Sequence, residues 1–381
     1  SFFAVKVAFF NELYQFCHRA GVDYEEVREA LVAEGRVGDL HTHVPGPDGQ
    51  VGYGGACLIP GPRIATPSGW TLIEDIKTGD QVLSGTGITT VTGTATRVVD
   101  QIVTVRARGR SVTGSVDHIH FTDGEQGGNT REKLLGQFRP RDRAVIPDQA
   151  LPSEDPVVVL GDRVRYAKDW RDHVEWTPEL AWVVGLWLAD GYRGVYPGGG
   201  RVGWTVGWTL GEAKVHQAER LVEILNGIGV PAKSRLTVSD GTYGESRCHV
   251  VRVRAAWMYS FMEAIGVGRG AHGKRAPVLS KKTAPHLIGG WLDGDGSRYD
   301  GTIAGHSEST DLIADMDRLF LGLGICPTIS KSGKDIKIST RSDVHTVAEW
   351  TTRLRTGAGY VRSTSYASPT TRRHPLGWSV E

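Results

Sequence analysis

Apolar residues recur at helical spacing near the start of the chain. Phe2, Val5, Phe9, Leu13 and Phe16 predict a helix from Phe2 to Ala20, and Gly21 can stop it. Asp23 to Glu26 reads as an acidic capping box opening a second helix through Val27 and Leu31. A Gly/Pro-rich loop, VPGPDGQVGYGGAC, then runs to Cys57. Beyond it the period changes to two: ITTVTGTATRVV and IVTVRARG alternate as strands do, with turn residues between them. From residue 166 the two periods mix. Thr177-Pro178-Glu179 carries a cap, a proline at the first helical position and an acid in the first turn. Helices are expected at EAKVHQAERLVEILNGIG, AWMYSFMEAIG, DLIADMDRLFLGLG and VHTVAEWTTRL, with strands at VGWTVGWTL, KSRLTV, CHVVRVRA, PTISKSG and DIKIST.

Two apolar helical runs stand out, VVGLWLADG at 183–191 and IGGWLDGDG at 288–296. Each has small residues four apart, Gly185 and Ala189 in the first, Gly290 and Gly294 in the second, and each ends in Asp-Gly. Glycine inside a helix costs about 1 kcal/mol relative to alanine. Small residues at i and i+4 lie on one face and let two helix backbones approach closer than the usual ~8–10 Å. Such a pair would bring Asp190 and Asp295 together at its C-terminal end. Converged carboxylates make a divalent-metal site suited to phosphodiester hydrolysis. A calcium loop starting at Asp293 fits poorly, because its sixth position is Arg298 and its twelfth Ala304.

Composition adds bounds. The 381 residues suffice for two or three domains. Lys+Arg and Asp+Glu number 44 and 43, so overall charge does not announce a partner. Residues 1–56 hold four and eight of these, which leaves 40 against 35 for the remainder, a balance compatible with DNA binding. Cys17, Cys57, Cys248 and Cys326 form no CxxC pair, which points to a reducing compartment, and the cytoplasm is expected. No apolar run approaches membrane-spanning length, so no membrane partner is expected.

The paired runs resemble the double motif of LAGLIDADG homing endonucleases, with Asp190 and Asp295 at the catalytic-acid position. The resemblance implies an α+β fold of two pseudo-symmetric αββαββα halves that binds double-stranded DNA as a monomer. It implies Mg²⁺ held by Asp190 and Asp295. Lys274, in KRAP, matches a lysine the family keeps near its metals, and Arg372 and Arg373 in RRHP stand at the counterpart slot. Arg252 and Arg254 share one side of a strand, as do Lys337, Ser339 and Arg341, and these rows are candidates for DNA contact.

The stretch CLIPGPRIATPSGWTLIEDIKTGDQVL resembles the opening block of inteins, and Ser115-Val116-Asp117-His118 resembles their Thr-x-x-His block. This implies an all-β Hint-type domain in which the Cys57 thiol attacks the Ala56 carbonyl, assisted by Ser115 and His118. His118 and His120 are alternatively metal ligands lacking an evident third partner. The His-Asn dipeptide that closes inteins is absent, so truncation is expected. The first segment resembles the central domain of UDP-glucose/GDP-mannose dehydrogenases, whose Gly-Gly-x-Cys loop carries the catalytic thiol. Arg36 matches a substrate arginine of that family, which uses NAD as a homo-oligomer. The Lys-Asp that follows the family's cysteine is replaced by Leu58-Ile59, and no GxGxxG is present.

The expectation is therefore a multidomain chain. Residues 1–56 form a short all-α dehydrogenase fragment, 57–165 an all-β Hint domain and 166–381 the endonuclease. Two alternatives stay open: a module that binds DNA without cutting and supports splicing, and a host dehydrogenase with the insert as passenger.

Overall fold

A computed structural model of the chain describes residues 2–39, 42–44, 58–67, 69–84, 87–94, 96, 101–122, 131–139, 142, 144, 151–161, 170–198, 201–241, 244–268, 270–332, 335–352, 354 and 378–380. Ala56, Cys57, the loop before them from 45, Arg372 and Arg373 lie outside the described residues.

Helix α1 (Phe2–Ala20) stops at Gly21, which adopts φ +69°. Helix α2 (Tyr24–Ala33) starts at Asp23, whose carboxylate accepts the Glu25 N–H at 2.8 Å. The buried face of α1 is offset by one residue from the apolar spacing in the sequence. Phe10 and Cys17 pack with Tyr24 and Val44, while Phe9 and Phe16 are more than half exposed.

A region of short antiparallel hairpins follows: β1 (Arg63–Thr66) with β2 (Gly69–Leu72), β3 (Gln81–Ser84) with β4 (Gly87–Thr90), β5 (Ile102–Ala107) with β6 (Arg110–Ser115), and β7 (Ile119–Thr122) with β8 (Arg131–Leu134). Arg108 and Gly109, both at positive φ, make the two-residue turn between β5 and β6. Val105, Leu135 and Phe138 form a small core here.

The next stretch, before residue 165, packs on the α/β body. Strand β9 (Val158–Val159) pairs with β10 (His173–Val174), and Leu160 is buried in the large core of the α/β body that follows. Asp155 accepts hydrogen bonds from the Ser280 N–H and the Thr283 hydroxyl. Residues 151–161 thus act as a strap over that body.

The α/β body runs α3 (Pro178–Asp190), β11 (Gly191–Gly198), β12 (Arg201–Gly211), α4 (Val215–Gly227), β13 (Ser234–Gly241), β14 (Gly244–Val253), α5 (Ala256–Ala264). It continues α6 (Ala284–Asp295), β15 (Gly296–Tyr299), β16 (Thr302–Ser307), α7 (Thr310–Gly322), β17 (Thr328–Ser332), β18 (Asp335–Thr340), α8 (Val344–Glu349). The two sheets have matching strand orders, β11-β12-β14-β13 and β15-β16-β18-β17. Trp182, Trp187, Trp208, Trp257 and Trp291 are fully buried in one continuous core beneath them. Strands β11, β15 and β16 are not evident in the sequence because GYRGVYPG and GSRYDGTIAGHS lack apolar alternation. A final strand, β19 (Trp378–Val380), pairs with β5. This pairing joins the end of the chain to the hairpin region.

Candidate metal centre

Helices α3 and α6 nest along the seam of small residues. A Cβ on Gly185 would lie 2.0 Å from the Leu287 carbonyl oxygen, and one on Gly290 would lie 2.1 Å from that of Trp182. One on Gly294 would meet the Ala189 side chain at 2.1 Å and Asp190 Oδ2 at 3.1 Å. No side chain larger than hydrogen fits at these places, which explains why the sequence tolerates the helix-breaking cost. Gly289 serves a different contact, with the Trp350 carbonyl at 1.9 Å from its virtual Cβ.

The nesting sets the two terminal acids against each other. Burial and the negative charge of Asp190 push the Asp295 carboxyl up to about 6, opposed by the charges of Lys214, Lys274 and His306. Lys214 Nζ lies 2.7 Å from Asp190 Oδ2. Lys274 Nζ donates to the Ala189 carbonyl at 2.7 Å and sits 5.5 Å from the Trp187 ring centroid. Its pKa is lowered by burial, against the pull of Asp295 and Asp190. The ammonium therefore closes the carbonyl end of α3, where the helix dipole favours a cation. Ser309 Oγ donates to the Lys274 carbonyl at 2.7 Å and so steadies the residue's backbone.

Asp293 is not a cation ligand. It is fully buried, and its carboxylate accepts Trp182 Nε1 at 2.9 Å, the Thr352 N–H at 2.9 Å and the Thr352 hydroxyl at 2.7 Å. It latches α6 to α3 and to the residues after α8. Among the described residues no group of three or more His, Cys, Asp or Glu is arranged to hold a metal. The His118–His120 pair thus acquires no third ligand there. Two carboxylates suit Mg²⁺, which takes one or two from protein and completes its shell with water and substrate phosphate. The repulsion between Asp190 and Asp295 is what such a cation would relieve.

The sheet faces agree in part with the sequence. In β14, Val251 and Val253 are buried and Arg252 is exposed. Tyr192 crosses over Gly207, whose virtual Cβ would fall 2.4 Å from the ring, and its hydroxyl accepts Arg252 Nε at 2.8 Å. Arg254 is exposed but stands one residue past the strand. Lys337 lies in β18 between buried Ile336 and Ile338. Arg341 falls one residue after β18 and pairs with Asp300 at 2.8 Å on the exposed surface.

The remaining expected residues lie elsewhere. Arg36 is exposed after α2, with Glu34 3.4 Å away. Ser115 ends β6 at 2% exposure, and its carbonyl accepts the His118 N–H at 2.9 Å. Leu58 bridges to Gly114, next to Ser115, and the Ile59 N–H donates to Thr113 at 3.3 Å. Lys214, Asp155 and the latch at Asp293 escaped sequence reasoning. Only the tertiary fold brings Lys214, at the start of α4, to Asp190.

Residues 1–66 match the family model for the UDP-glucose/GDP-mannose dehydrogenase family, central domain. A comparison with curated proteins finds no match. Among solved structures, I-DmoI in complex with DNA and Mn aligns at TM-score 0.35 and 17% identity, over 45% of this chain and 94% of that one. I-DmoI with DNA and Ca aligns at 0.35 and 16%, over 45% and 87%. The homing endonuclease I-WcaI bound to its DNA recognition sequence aligns at 0.38 and 11%, over 51% and 90%. Among the described residues no helix is long and apolar enough to cross a membrane.

Proposed function

We propose that the α/β body is a Mg²⁺-dependent, LAGLIDADG-type endonuclease that makes double-strand breaks in DNA. The observation that carries this is the convergence of Asp190 and Asp295 at the ends of two helices nested on glycine. Each αββαββα repeat contributes one acid to this shared centre, from which both DNA strands would be served. A cation bound there would polarise the scissile phosphate and lower the pKa of a water. Asp190 and Asp295 would hold it. Lys274 supplies fixed positive charge where negative charge grows in the transition state. Lys214 orients the Asp190 carboxylate through their 2.7 Å ion pair. Arg252 and Lys337 face outward from their sheets for phosphate or base-edge contact.

The hairpin region is proposed as the self-processing domain of an intein interrupting a nucleotide-sugar dehydrogenase. The Leu58–Gly114 bridge sets Leu58, the residue that follows Cys57 in the sequence, across from the neighbour of Ser115. The Cys57 thiolate attacks the Ala56 carbonyl to form a thioester, with His118 as the candidate proton donor to the departing amine. The return of β19 to β5 supports a nuclease inserted within the hairpin region.

The decisive test is a supercoiled plasmid carrying the uninterrupted dehydrogenase sequence around the cysteine codon. With Mg²⁺ the native chain is expected to linearise it, while Asp190→Asn and Asp295→Asn lose cleavage by at least ~10³-fold. Cleavage surviving in both variants would remove the assignment. Binding without cleavage by the native chain would favour the non-cutting alternative.

A further inference from the structure

The two halves have the same topology but unequal reach. Trp208 pairs with both Gly191 and Val251, and Gly305 pairs with both Gly296 and Ile338. These positions mark one level in each sheet, immediately after the terminal acid. From that level β11–β12 continues to Gly198↔Arg201, eight paired positions, whereas β15–β16 stops at Tyr299↔Thr302 after four. The other end behaves alike. β13–β14 runs out to Gly241↔Gly244, and β17–β18 only to Ser332↔Asp335.

Each first hairpin begins at its acid, so its turn is the part of that strand pair farthest from the cutting centre. Four additional paired residues at about 3.3 Å each add ~13 Å of strand. A DNA duplex rises about 3.4 Å per base pair, so that length corresponds to ~4 base pairs. The shorter hairpin is closed by Asp300 and Gly301, both at positive φ, in a tight two-residue turn that fixes its length.

Given the nuclease reading above, we infer that the DNA target is lopsided. The half-site lying on the β11-β12-β14-β13 sheet is contacted ~4 base pairs farther from the cut than the half-site on the other sheet. Recognition information is correspondingly concentrated on one side, and the enzyme binds in one orientation.

Hydroxyl-radical footprinting of the full-length Asp190→Asn protein tests this on a duplex carrying the uninterrupted dehydrogenase sequence around the cysteine codon. Protection is expected to extend ~4 base pairs farther on one side of the cut centre mapped with the native chain. A second variant, residues 196–203 replaced by Asp-Gly, is expected to shorten that side alone by ~3 base pairs with unchanged circular dichroism. Equal protection on the two sides, or shortening of both or neither, overturns the inference while leaving the nuclease assignment standing. No protection together with no cleavage by the native chain overturns both.

Discussion

Asp295 carries a cost that the proposed function would explain. Its carboxyl is raised to about 6 by burial and by Asp190, so near neutral pH the folded chain holds two crowded negative charges. Between the ordinary aspartate value of 3.8 and about 6 the folded state binds more protons than the unfolded one. Stability therefore falls as pH rises through that window, and the full penalty persists above it. Asp295→Asn is expected to unfold at higher temperature than the native chain at pH 7.5. The penalty removed is on the order of 3 kcal/mol, and the gap should close as pH falls from about 6 to the ordinary value of 3.8. Thermal melts at both pH values in EDTA check this; a variant less stable at pH 7.5 would contradict the repulsion. At this scale the sequence spoke unevenly. Asp190, Asp295 and Lys274 were legible because their motifs lie in order along the chain. Lys214 was not, since 24 residues separate it from Asp190 and only a helix start carries it back. The pairing of Arg341 with Asp300 was not legible either, because alternation says which side a residue takes, not where the strand ends.

The glycine seam is the element that the sequence exposed best. Only close helix contact makes sense of Gly185, Gly290 and Gly294 inside apolar helices, and the virtual Cβ distances of 2.0–2.1 Å bear that out. Gly290→Ala is expected to destabilise the fold by about 3 kcal/mol or more, because the Trp182 carbonyl cannot yield without moving a helix. Gly227→Ala, with nothing within 4 Å, should change stability by less than about 1 kcal/mol. Urea unfolding of the two variants provides the comparison, and a neutral Gly290→Ala would mean the helices are not nested. The long helices were readable from their periods. Strand β11 and the first hairpin of the second half were not, because glycines and polar residues hide the alternation and their pairing comes from neighbouring strands rather than local preference.

The hairpin region docks on α7 through side chains that no local pattern announces. Arg110 Nε donates to Asp317 Oδ2 at 2.8 Å, and its Nη1 to the Pro327 carbonyl at 3.0 Å. Arg63 pairs with Asp311, Trp70 Nε1 donates to the Ala314 carbonyl at 3.2 Å, and Arg318 Nη2 donates to the Thr66 carbonyl at 2.6 Å. The Ile329 N–H reaches the Arg108 carbonyl at 2.9 Å. Asp317 is buried, which raises its pKa, and Arg110 is the opposing charge. Arg110→Met strands that carboxylate and should cost about 3–5 kcal/mol of docking. Hydrogen exchange at Ile329 is expected to rise while exchange along α3 stays as it is; equal exchange at Ile329 would mean the contact contributes nothing. This interface was invisible in the sequence because its partners lie more than two hundred positions apart. Helix α7 faces both ways. It buries Leu312, Met316 and Leu319 beneath the second sheet while offering Asp311 and Asp317 to the hairpins. A lineage that let both proposed metal-binding acids drift would still be obliged to keep this helix, since its neighbour leans on it. The scaffold of the proposed nuclease should therefore outlast its chemistry.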